Sequence, residues 1–250
     1  MNLVDKLLSP VGVIAIMAAF WVVLGAFVLL IMRANRRRAA ELRAAAEARG
    51  WSFEDLREGR RLITRWSGVD SDGRTWTIES ISVSSSSSSG SVSTQTIWRS
   101  EAARLDDAMI LIGPSSKNMP ALDLGSGMAQ FVLRVLIQHI LPDAAVGDEK
   151  LLASLRLVEL GSESLREHYM VLTTDEEIAR GFLEGGAERA LIDYAMQVRQ
   201  RDLLPQVAYW ERGLQIKVNR RLSRLVDLER LAALGEVLAG SVSAATIWDE

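Results

Sequence analysis

Residues 11–32 read VGVIAIMAAFWVVLGAFVLLIM, 22 positions without a charged, Asn, Gln or His side chain. At about 1.5 Å rise per residue, a helix of that length covers roughly 30 Å, the thickness of a bilayer's hydrocarbon core. A buried helix of a globular domain normally carries polar interruptions, so the stretch predicts a membrane span and makes the rest of the chain a tethered body. Ser9 and Pro10 fit an N-cap and first helical position, because a serine oxygen accepts from an orphan amide and proline has no amide to leave unpaired. Past Met32 comes RANRRRAAELRAAAEARG, almost wholly strong helix formers and closed by Gly50. One helix from about Pro10 to Arg49 is predicted, the span followed by a stalk.

The charges around the span set its direction. Asp5 and Lys6 leave the N-terminal side neutral, whereas Arg33, Arg36, Arg37 and Arg38 crowd the other end. The positive-inside rule then places the N-terminus outside and the body in the cytoplasm, as a single-pass protein of the inner membrane, with those arginines against anionic lipid. A cleaved signal peptide needs a basic leader, a shorter apolar core and a small-residue cleavage site, and the segment offers none of these. Within the span, Trp21 lies near the centre, away from the interfaces where indoles concentrate, and Ala18 and Gly25 share its helical face. Small residues beside a midplane indole let another helix approach closely, so this face is expected to meet a partner helix, a second copy or a larger complex.

The net charge of −3 conceals a division: residues 33–65 carry +5 and residues 66–250 carry −8. A basic neck joins an acidic body, which argues against nucleic acid as a partner, since phosphate binding needs a basic face on the domain itself. The chain has no Cys and only two His, His139 and His168, so disulfides, Cys-ligated metals and a histidine-rich metal centre are not expected. Arg outnumbers Lys by 25 to 4, a bias in keeping with a GC-rich bacterial source.

The body begins at Trp51, where aromatic and β-branched residues alternate with turn signals such as Ser71-Asp72-Gly73. Arg74–Val83 and Val92–Arg99 read as a hairpin whose tip is the run Ser84–Ser89, flexible by composition. The apolar set changes face between Trp76/Ile78 and Ile81/Val83, which suggests a bulge or a strand that swaps packing partners. Asp107–Ile112 is a short strand and Met128–Leu141 an apolar helix stopped by Pro142. Leu155–Leu160 and Leu165–Thr173 form a second hairpin candidate around Gly161-Ser162; Thr174 and Glu177 make a capping box for a helix running to Val198 across the weak point Gly185-Gly186. Val207–Glu211 and Leu214–Val218 flank a tight turn at Arg212-Gly213, and a last helix from Leu225 is closed by Gly240, leaving a loose tail. Hairpins outnumber strand–helix–strand crossovers, so the body is α+β with a mainly antiparallel sheet. The divisions are a short N-terminal segment 1–9, span and stalk 10–50 with the span at about 11–32, body 51–240 and tail 241–250.

Three fragments invite chemistry. Gly113-Pro-Ser-Ser-Lys117 lacks the spacing of a phosphate loop, Gly125-Ser-Gly127 reads as an ordinary helix entry, and Asp175, Glu176 and Glu177 complement a helix dipole without needing a metal. His139 and His168 sit in apolar surroundings on separate elements. No nucleophile elbow, zinc-protease helix, kinase set or dinucleotide fingerprint is present, so no catalytic residue, metal or cofactor is assigned.

The span with its Arg-rich exit, the Arg49-Gly50-Trp51 junction, Arg65-Trp66-Ser67-Gly68 and Tyr169–Asp175 together give the chain a layout that resembles bacterial single-span membrane proteins with an uncharacterised cytoplasmic α+β domain. The resemblance supplies no catalytic residue and implies no activity. The expectation is a membrane-anchored, non-catalytic interaction protein, an accessory or stabilising subunit of a larger membrane complex. A membrane-tethered ligand-binding or regulatory domain is the alternative, and an unrecognised enzyme the third.

Overall fold

The computed structural model describes residues 10–84, 92–105, 108–115, 154–198, 200 and 203–245, apart from the side chains of 10–16, 18, 19, 35, 38, 84, 92 and 242–245. The chain divides into two units, Met1–Arg49 and Gly50–Glu250. The first contains α1, Pro10–Glu47, a helix of 38 residues that takes in the whole apolar stretch and most of the stalk. It ends two residues before Arg49, with the Ala48 amide on the Ala44 carbonyl at 3.0 Å and the Arg49 guanidinium capping the Ala45 carbonyl at 2.9 Å. Gly50 follows at φ 72°, the left-handed conformation that stops helices most easily when no Cβ is present. Among the described residues, no helix is long and apolar enough to cross a membrane. Within the apolar stretch 11–32, the side chains described are Met17 and those from Phe20 to Met32.

The second unit is α+β. Its strands are β1 Ser52–Glu58, β2 Arg61–Val69, β3 Thr75–Ser84, β4 Val92–Ser100, β5 Ile110–Pro114, β6 Arg156–Val158, β7 Tyr169–Thr173, β8 Gln206–Trp210 and β9 Gly213–Val218. Helices α2 Glu163–His168, α3 Glu176–Phe182, α4 Glu188–Gln197 and α5 Leu225–Ala245 are interleaved, and a π-helical turn, Leu183–Ala187, joins α3 to α4. The nine strands form one sheet in the order β1-β2-β3-β4-β9-β8-β5-β7-β6, antiparallel at every pairing.

Residues directly opposed in an antiparallel ladder share a face. One such row crosses the whole sheet: Phe53, Trp66, Ile78, Trp98, Ile216, Val207, Ile112, Val171 and Val158. Every member is apolar, and this face carries the helices. A Cβ added at Gly235 of α5 would lie 2.2 Å from the Trp98 indole, so only glycine lets α5 lie on β4 this closely. The Phe182 ring stands 5.7 Å from Tyr209, and the Tyr169 hydroxyl donates to the Leu191 carbonyl at 3.4 Å, which seats α3 and α4. The opposite face bears a polar ladder in β2–β4 and β9. There Arg65 grips Glu79 at 2.7 Å, and Arg99 donates through Nε to the Gln215 side chain at 3.1 Å.

Several sequence expectations are corrected. No bulge interrupts β3: its pairing with β2 and with β4 runs in unbroken register. The apolar pattern changes face because the core side turns polar at Ser80, opposite Thr96. Both hydroxyls are buried and 2.9 Å apart, and they hold the chain between β9 and α5: Thr96 Oγ1 donates to the Arg220 carbonyl at 2.8 Å and accepts from the Leu222 amide at 2.9 Å. The β6–β7 pairing exists, but Leu165–His168 belongs to α2, since Gly161 at φ 78° and the Ser162 side chain, accepting from the Leu165 amide at 3.3 Å, start a helix there. Thr174 is not the cap of α3. Asp175 accepts from the amides of Glu177 and Ile178 at 2.9 and 3.1 Å, while Thr174 Oγ1 accepts from the Met109 amide at 2.9 Å. The single helix expected to run to Val198 across Gly185-Gly186 is two helices: Gly186, at φ 110° and ψ −9°, is non-helical and kinks the chain between α3 and α4. Finally, α5 continues past Gly240, and Ser241 is buried, its hydroxyl donating to the Gly185 and Val237 carbonyls at 3.0 and 2.9 Å. The run Ser85–Ser89, the expected helix Met128–Leu141, Lys117, Gly125-Ser-Gly127 and His139 lie outside the described residues.

Candidate functional site

In the first unit, the residues singled out by sequence stand on α1. Ala18, Trp21 and Gly25 are spaced three and four residues apart, hence on one face, although the Ala18 side chain is outside the described set. Trp21 is 63% exposed, and a Cβ added at Gly25 would meet nothing within 4 Å. Arg33, Arg36 and Arg37 are exposed on the same helix; the Arg38 side chain is not among those described.

In the second unit, a pocket of about 590 Å³ opens where the C-terminal end of α4 faces the β9–α5 connection. Two features build it. The Thr96 and Ser80 hydroxyls pin the backbone at 220–222, and α5 then begins at Leu225, so Arg220, Arg221, Arg224 and Arg230 are gathered at one rim. Across from them stand Gln197 and Gln200, with Val198, Leu203 and Leu222 as apolar wall. Asp227 is the only carboxylate among the described lining residues; it accepts from Arg224 twice, at 2.7 and 2.9 Å, and lies 3.5 Å from Arg230. Arg220 donates to the Gln200 amide oxygen. Among the described lining residues, four guanidinium groups stand against one carboxylate, on a body whose sequence is acidic. Burial pushes the neighbouring Tyr194 phenol up to about 12, the Asp227 charge adding to the shift and Arg230 opposing it.

A second charged cluster ties the β2–β3 turn to α5. Asp70, with a side chain 4% exposed, accepts from the Arg74 and Asp72 amides at 2.8 and 2.9 Å and from Arg74 Nε at 2.7 Å, while Arg74 also donates to the Ala239 carbonyl at 2.9 Å. Burial would raise the Asp70 carboxyl, but the hydrogen bonds and charge of Arg74, with the Asp72 amide, outweigh it and hold the group below its ordinary value. Glu236 moves the other way: burial and the Asp70 charge raise it, with the nearby Trp76 indole opposing. The two have opposite signs in stability. Asp70 stabilises the fold above its unfolded pKa and loses that contribution as pH falls through its folded value; ionised Glu236 destabilises the fold once pH rises through its raised value. Glu236→Gln is therefore expected to raise stability at neutral pH by a few tenths of a kcal/mol, since the site is largely solvated. The gain should vanish below the ordinary glutamate value of 4.5, as read by urea denaturation at both pH values.

The other sequence candidates do not converge. His168 ends α2 with its ring edge-on to Tyr169 at 6.5 Å, and Asp175, Glu176 and Glu177 open α3 as cap and first turn. Among the described residues, no group of three or more His, Cys, Asp or Glu is placed to hold a metal ion. The arginine pocket, by contrast, is unmarked in the sequence reading. Its signal is NRRLSRLVDLER, residues 219–230, with four arginines in an acidic body, but that signal acquires a chemistry only when α4 brings Gln197, Gln200 and Leu203 opposite. Compared with known proteins, the chain matches no family model, no curated protein and no solved structure.

Proposed function

We propose that the chain is a membrane-anchored, non-catalytic interaction protein, an accessory or stabilising subunit of a larger membrane complex, held by α1 in the inner membrane with its body in the cytoplasm. One observation carries the reading: Phe20, Trp21, Val22, Val23, Phe27, Leu29 and Leu30 are each more than half exposed. Their positions point in every direction around the helix, so no polar face is left to meet water. Fully burying a side chain of this kind is worth about 1.5–3 kcal/mol, so seven left in water forfeit roughly 10–20 kcal/mol. That matches or exceeds the net stability of a whole domain, about 5–15 kcal/mol, and lipid or a partner helix must cover them. The full apolar sequence of 22 residues suits lipid, and the arginines at 33, 36, 37 and 38 set the direction.

The partner face is tested together with the topology. A periplasmic reporter fused after Glu250 is expected to be inactive, and protease added outside intact cells to leave the body whole. Trp21→Leu with Gly25→Ile should leave insertion intact and release the protein from whatever it co-migrates with on a native gel. A digested body would overturn the orientation, and unchanged co-migration would remove Ala18, Trp21 and Gly25 as the partner face.

A further inference from the structure

We propose that the pocket between the end of α4 and the start of α5 is an anion site for a phosphate monoester, its guanidinium rim taking the phosphate and its apolar wall the organic part. The charge balance at the site is the first argument. Arg220, Arg221 and Arg224 directly precede α5, at the positive end of the helix macrodipole, where cations are disfavoured and carboxylates preferred. Among the described lining residues, only Asp227 in the first turn offsets them. An arrangement that opposes both the dipole and its own like charges is relieved by a bound anion.

Geometry is the second argument. The backbone at 220–222 is held by the buried Thr96 and Ser80 hydroxyls, so the rim is fixed before any ligand arrives. Arg224 is oriented by its two bonds to Asp227, and Arg220 by Gln200, while Arg221 is exposed at the mouth. Planar guanidinium forks match the oxygens of a phosphate two at a time, and a described lining of four guanidinium groups with one carboxylate suits a dianion better than a single carboxylate. A volume of about 590 Å³ lies within the range of small-molecule sites, and Val198, Leu203 and Leu222 give the ester an apolar floor. The same chemistry is presented by a soluble phosphate ester and by the head group of phosphatidic acid.

The test uses the full chain in phosphatidylcholine vesicles, with the fluorescence of the body's buried indoles, Trp66, Trp76, Trp98 and Trp210, reporting thermal unfolding. Inorganic phosphate at ten times its dissociation constant is expected to raise the midpoint by about 3–6 °C over chloride at matched ionic strength. Arg221→Gln with Arg230→Gln should abolish that rise while leaving the chloride midpoint in place. Should the double variant unfold early in chloride, the single Arg221→Gln, at an exposed side chain, decides by a weakened response. Stabilisation by added phosphate in plain vesicles identifies a soluble source; stabilisation only in vesicles doped with phosphatidic acid identifies the lipid. An equal rise in wild type and variants, or none in either vesicle, would overturn the site.

Discussion

Trp98→Ala is expected to destabilise the body by about 3–5 kcal/mol, the usual cost of removing a large aromatic side chain from a core that cannot collapse around the gap. Trp98 is 1% exposed and stands in the middle of the apolar row, with Ile78 on one side and Ile216 on the other. Its indole is pressed against Gly235, so truncation leaves α5 without the surface its glycine was shaped to meet. Among the described residues the indole N–H has no hydrogen-bond partner, so Trp98→Phe, which keeps most of the area and removes that donor, should cost about 1–2 kcal/mol. Urea denaturation of the full chain in detergent, followed by far-ultraviolet circular dichroism, measures both. A loss below 1 kcal/mol for the alanine variant would mean that α5 does not rest on β4 as described.

The second large effect lies in α1. Aspartates in place of Val22 and Val23, near the centre of the apolar stretch, are expected to disfavour membrane insertion by about 5–7 kcal/mol together, at about 2.5–3.5 kcal/mol per charge. That is a shift of about four to five orders of magnitude in the insertion equilibrium. The protein should leave the carbonate-washed membrane fraction, and leucine at both positions should keep it there. If the aspartate variant stays in the membrane fraction, α1 is not the anchor and that part of the proposal falls.

The coarse fold was legible because two periodicities are strong in this sequence. Partial alternation marked β3 and β4, and glycines marked the turns at Gly73 and at Gly213 between β8 and β9, where φ is 79° and 113°. The helix Pro10–Glu47 followed from composition alone. What was not legible depends on partners distant in the chain. The change of face around Ser80 read as a bulge or a swap of packing partners because the Ser80 hydroxyl is satisfied by Thr96 and by the Leu222 carbonyl, 142 residues away. Thr174 looked like a cap, but the Met109 amide, just before β5, donates to its hydroxyl and Asp175 takes over. The pocket was hidden for the same reason: its rim is read in one segment and its opposite wall in another. The candidates on α1 need no such assembly, since a single helix carries Ala18, Trp21, Gly25 and the arginines after them.

The position of β9 governs the order in which the body can be completed. β1 to β4 form a local meander, but the outer edge of β4 pairs only with β9, Thr96 with Val218, more than a hundred residues later. During synthesis that edge, with Ile97 and Trp98 upon it, emerges long before the strand that closes it. Pairings of such sequence separation are slow to form, and an open apolar edge is the part of a nascent sheet most prone to join a wrong neighbour. The β4–β9 seam is thus expected to close late in folding, and until it does the β4 edge is the part of the sheet left open to a wrong pairing.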